Sequence, residues 1–109
     1  MDIEELAARC LANSQRWFPS NHADNQKAIT HATLGLAGEA GEVANKVKKL
    51  FGYIDQSAGM TANQTVCDAI IEELVDTLIY DLVLLELFGA DIPNAIDRKI
   101  AICEQRWGV

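Results

Sequence analysis

A chain of 109 residues, half of them hydrophobic, is long enough for one core and short enough that association with further copies would help it, so a single domain over 1–109 is expected. Nine basic residues against sixteen acidic ones leave a formal net charge of -7, which argues against a basic surface for nucleic acid polymers. Cys10, Cys67 and Cys103 are odd in number and include no C-x-x-C pair, so reduced thiols of a cytoplasmic protein are expected rather than a disulfide framework or a zinc site.

Long apolar patterns near the 3.6-residue period, little alternation and two prolines, both near breaks, predict an all-α chain with four helices. The first runs from about Ile3 to Trp17, opened by Asp2 as N-cap with Glu5 three residues on, and closed before a turn over Phe18, Pro19, Ser20 and Asn21. The acids at Asp2, Glu4 and Glu5 are unlike the basic start of a secretory signal. A second helix begins between Ala23 and Ala28 and reaches about Leu50, with Lys46, Lys48 and Lys49 in its last turns, where cations suit the helix dipole. Gly52 to Met60 reads as a loop, and Thr61 with Gln64 as the capping box of a third helix that ends near Phe88 with Gly89 as its C' residue. Asp91, Ile92 and Pro93 start a fourth helix to about Arg106. The long apolar stretch from Leu74 to Phe88 contains Asp76, Asp81 and Glu86, so a membrane span is not expected.

Two acidic doublets stand out, Glu39-x-x-Glu42 and Glu73-x-x-Asp76, because residues three apart on a helix share a face. On the third helix Glu73 and Asp76 lie with Ala69, Thr77 and Tyr80, opposite Ile71, Val75, Leu78 and Leu82. Around the other doublet, Gly35, Gly38 and Gly41 each cost a helix ~1 kcal/mol relative to alanine. That expense makes sense where another backbone or a ligand comes close. Four carboxylates converging between two helices need a positive charge among them, and an all-oxygen set favours a hard cation such as Mg2+, with Mn2+ able to substitute. A solvated acidic stripe, or tight helix packing with incidental acids, is the plainer alternative. The Glu-x-x-His pattern of di-iron bundles is missing, since neither His22 nor His31 follows a Glu by three residues.

The run from Gly35 to Val43, followed by Glu72, Glu73, Leu74, Val75 and Asp76, resembles the MazG-like all-α nucleoside triphosphate pyrophosphatases, whose signature is an E-x-x-E helix followed by an E-x-x-D helix. The resemblance spans roughly Trp17 to Arg106. It implies a four-helix, bundle-like MazG-type fold assembled as a homodimer or homotetramer. It also implies Mg2+-dependent hydrolysis of a nucleoside triphosphate to the monophosphate and diphosphate, a house-cleaning activity with a lean toward deoxynucleotides. Glu39, Glu42, Glu73 and Asp76 would hold the metal, with Glu39 the candidate base. The family's K-x-x-x-N-x-x-R pattern in the last helix meets Lys99 and Arg106 here as phosphate ligands, with Cys103 in place of the asparagine.

Lys46 has two readings, an i,i+4 partner of Glu42 or a further phosphate ligand. Trp17 is either a base-stacking residue or a core anchor at a helix end. Two other functions stay open, a non-catalytic helical interaction subunit on the same scaffold and a phosphohydrolase acting on another phosphorylated metabolite.

Overall fold

Asp2 opens the first helix as expected, its Oδ1 accepting the backbone N–H of Glu5 at 2.8 Å, and α1 spans Ile3–Trp17. The computed structural model describes residues 1–55 and 60–108, and the side chains of 1–50 and 64–108. Pro19–His22 form a 3-10 turn, where proline's fixed φ suits the first position. His22 closes that turn back on α1 through a 2.7 Å hydrogen bond with the Ser14 hydroxyl.

α2 follows as Asn25–Asp55, and its start is set by Asp24, whose Oδ1 accepts the backbone N–H of Lys27 at 2.7 Å. Its far end corrects the loop expected from Gly52. The helix carries on to Asp55, so Lys46, Lys48 and Lys49 are interior residues rather than C-terminal ones. The apolar period explains the continuation, because Val47, Leu50, Phe51 and Ile54 keep helical spacing and one glycine costs only ~1 kcal/mol. α3 begins at Met60 and runs to Leu87. The capping box expected at Thr61 lies outside the described side chains.

Gly89 ends α3 as expected, with φ at 69° and the paired backbone bonds Gly89 N–H to Glu86 C=O and Ala90 N–H to Leu85 C=O, both 3.0 Å. Asp91 then caps α4, Ile92–Trp107, by accepting the Asn94 N–H. Among the described residues the chain is all-α, and no helix is long and apolar enough to cross a membrane.

The chain divides into two compact units, 1–29 with 82–109, and 30–81. In the first, α1 packs on α4, and Ala7, Leu82 and Ile92 form a core to which Ile3, Leu6, Cys10, Leu85 and Ala90 add partly buried surface. Burial pushes the Cys10 thiol above its ordinary pKa, and Cys10, Cys67 and Cys103 are all free. The second unit is an antiparallel pairing of α2 with α3, in which Gly35 meets Tyr80 while Glu39 and Lys46 meet residues 73 to 76.

Candidate metal centre between two helices

The pairing of α2 with α3 follows from a difference in side-chain size. A Cβ on Gly35 would sit 2.4 Å from the Tyr80 ring, so the missing side chain is what lets the tyrosine lie against α2. One turn further along α2, Glu39 faces α3 at the level of Asp76 and Glu73. One oxygen from each of Glu39, Glu73 and Asp76 lies within 4.8 Å of the others. Close approach accounts for Gly35 but not for Gly38 or Gly41, where an added Cβ would meet nothing within 4 Å.

Glu42 is not part of the three-carboxylate group. At ~100° per residue it is displaced about 60° around α2 from Glu39, toward the edge of the face that meets α3. Its side chain is exposed there, though its charge is still felt at Glu39. Lys46 does not make the i,i+4 pair with Glu42. It reaches across to α3 instead and bonds Glu73 Oε1 at 2.6 Å.

The contact between Glu39 and Glu73 shows in their acid strengths. The Glu39 carboxyl is pushed up to about 7, chiefly because it shares a hydrogen bond with Glu73, with partial desolvation and the charges of Glu73, Asp76 and Glu42 adding to the shift. Glu73 moves down, held as the carboxylate first by that hydrogen bond and then by Lys46. The same bond to Glu73 raises Lys46 and keeps it charged. The two acids shift in opposite directions, so a proton taken up by the pair favours Glu39 over Glu73.

Oε2 of Glu73 is buried and has no hydrogen-bond partner among the described residues. An orphaned buried carboxylate oxygen is costly, and a hard cation satisfies it as well as a donor does. Three oxygens from separate carboxylates suit Mg2+ or Mn2+, which take oxygen ligands and complete their shell with water or phosphate. The residues present fit such an ion.

The other expected ligand-binding residues sit in the first unit. Lys99 and Arg106 are two turns apart on α4, hence on one face of it, and both are exposed; Cys103 between them is half-buried. Trp17 is 62% exposed with the Arg16 guanidinium 5.9 Å from its ring centroid, which removes the core-anchor reading. His31 is exposed on α2. In the sequence Lys46 stands out as a partner of Glu42 or a phosphate ligand, but not as a partner of Glu73. Its cross-helix bond to Glu73 depends on the register of two helices joined through a stretch with no sequence signal for its length.

No family model matches the chain, and no solved structure matches it. It is similar to the Gene 37 protein of Mycobacterium phage L5, with 29% identity over 106 residues that make up 97% of this chain and 80% of that protein.

Proposed function

We propose that the chain is a Mg2+-dependent nucleoside triphosphate pyrophosphohydrolase of the MazG-like kind, converting a (deoxy)nucleoside triphosphate and water to the monophosphate and diphosphate. The observation that carries this reading is the meeting of Glu39 with Glu73 and Asp76, one member of the first doublet with both of the second, around an orphaned carboxylate oxygen. Neither doublet alone distinguishes a ligand site from a solvated stripe; the convergence of acids across two helices favours the ligand site.

Glu39, Glu73 and Asp76 would hold the ion, with Glu42 as a proposed further ligand from the same doublet as Glu39. Bound there, Mg2+ supplies charge neutralisation for the triphosphate and a lowered pKa for water. The residues of the chain do the remainder. Glu39 is the proposed acceptor of a proton from an attacking water, in the role of a carboxylate not fully engaged by the ion. Glu73, held as the carboxylate by its hydrogen bond with Glu39 and then by Lys46, is suited to ligation rather than proton transfer. Lys99 and Arg106 present an ammonium and a guanidinium fork for phosphate oxygens. Exposed Trp17 is available to stack on a base.

Assembly as a homodimer or homotetramer belongs to the same reading. On α3, Ile71, Leu74, Val75 and Leu78 form an i, i+3, i+4, i+7 stripe whose members are between 45% and 55% exposed. A contiguous apolar stripe of this kind is suited to burial against a second copy. Service in cleansing a cytoplasmic nucleotide pool, with a lean to deoxynucleotides, follows from the resemblance of the motifs.

A panel of nucleoside and deoxynucleoside triphosphates incubated with Mg2+, read as diphosphate against orthophosphate, tests the activity. Diphosphate with a monophosphate product is expected. Orthophosphate release would point to another phosphohydrolase, and no turnover on any nucleotide to an interaction subunit.

A further inference from the structure

The Lys46–Glu73 bond has a consequence for the order in which ligands enter, one that rests on the metal reading above. Glu73 is engaged twice over. Its Oε1 holds the Lys46 ammonium at 2.6 Å, and it belongs to the group of three carboxylates drawn within 4.8 Å. An ammonium and a divalent cation on one carboxylate repel each other at short range, where screening by salt is weak. Of the two, the lysine is the one able to leave, because its side chain is 29% exposed on a flexible four-carbon stem whereas Glu73 is only 16% exposed.

We propose that Lys46 is a built-in counter-ion, neutralising Glu73 while the site holds no metal and released by an incoming divalent cation to bind an oxyanion of the ligand. Two linkages follow. Lys46 competes with the metal for Glu73, so removing its charge tightens metal binding. An anion that takes up Lys46 removes this competition, so anion and metal bind each more tightly in the presence of the other, and by the same factor. Glu42, four residues before Lys46 and exposed, is the alternative resting place for the displaced ammonium. In that case the first linkage holds and the second does not.

The test is calorimetric titration of Mg2+ into nucleotide-free protein, with and without inorganic phosphate, for the wild type, Lys46→Met and Lys46→Gln. The glutamine variant keeps a neutral donor for Glu73 and guards against a fold defect in the methionine one. We expect Mg2+ to bind both variants about tenfold more tightly than the wild type, within the ordinary range of coupling between two sites. Phosphate should tighten Mg2+ binding to the wild type and have little effect on either variant. Melts without metal should show both variants less stable than the wild type, with a larger upward shift on adding Mg2+. Equal Mg2+ affinity in all three proteins overturns the counter-ion role, and an undiminished phosphate effect in the variants overturns the transfer to an anion. Failure of all three proteins to bind Mg2+ would instead remove the metal site, and this inference with it.

Discussion

Glu39 is the residue whose behaviour departs most from that of an isolated side chain. In the folded chain its carboxyl titrates near 7 against an ordinary 4.5, so between those two pH values the folded state keeps a proton that the unfolded state has lost. Stability then falls as pH rises across that window and levels off above it. Glu73, shifted down, works in the opposite sense, contributing stability that is lost only as pH falls below the ordinary carboxylate range. Thermal melts of the metal-free protein at constant ionic strength should therefore decline from pH 4.5 to about 7. Glu39→Gln should flatten that decline and melt above the wild type at about pH 8. A wild-type melting temperature flat over the window would show that the Glu39 carboxyl is not raised. The acids at 39, 73 and 76 could be picked out from the sequence because their spacing is a local property of a helix. The raised acid at Glu39 could not, because it arises from a distance between two helices.

Among the elements, α2 is where expectation and structure differ most, and the glycines account for part of the difference. All three look alike in the sequence, yet Gly35 alone lies under another side chain, while Gly38 and Gly41 face open space. Gly38→Ala and Gly41→Ala should each stabilise the metal-free protein by ~0.5–1 kcal/mol, the ordinary preference of a helix for alanine. Gly35→Ala should lose that gain to overpacking against Tyr80 and end ~1 kcal/mol less stable, and in a Tyr80→Ala background it should become stabilising like the other two. Equal melting shifts for all three single variants would contradict the packing at Gly35. Helix starts were readable wherever a side chain caps its own helix, at Asp2 and Asp91, and the end of α3 was readable at Gly89. The start of α2 fell within the window expected between Ala23 and Ala28, but its cap went unnamed, although Asp24, three residues before Lys27, carried the same signal. The end of α2 was misjudged because Gly52 was weighed as a breaker against an apolar period that outlasts it.

For the molecule as a whole, the all-α class followed from the helical period, whereas the division into two compact units has no counterpart in the chain's composition. The exposed stripe of Ile71, Leu74, Val75 and Leu78 leads us to expect a mass of two or four copies by light scattering at micromolar concentration. Leu74→Lys with Leu78→Lys should lower that mass, and a monomer that hydrolyses nucleotide at the wild-type rate would contradict the assembly. If the carboxylates wait for a cation, saturating Mg2+ at ~100 times its dissociation constant should add ~2.7 kcal/mol of stability. Melts unmoved by Mg2+ would count against that. The most direct measurement of the central claim compares Mg2+-dependent diphosphate release from deoxynucleoside triphosphates by the wild type and by Asp76→Asn, with helix content checked in both. Diphosphate and monophosphate from the wild type, and a rate at least ~100-fold lower from a variant equally helical, is the result expected of a ligand worth several kcal/mol in the transition state. Near wild-type turnover by Asp76→Asn would contradict the account, because the carboxylates gathered between α2 and α3 would then not be the catalytic site.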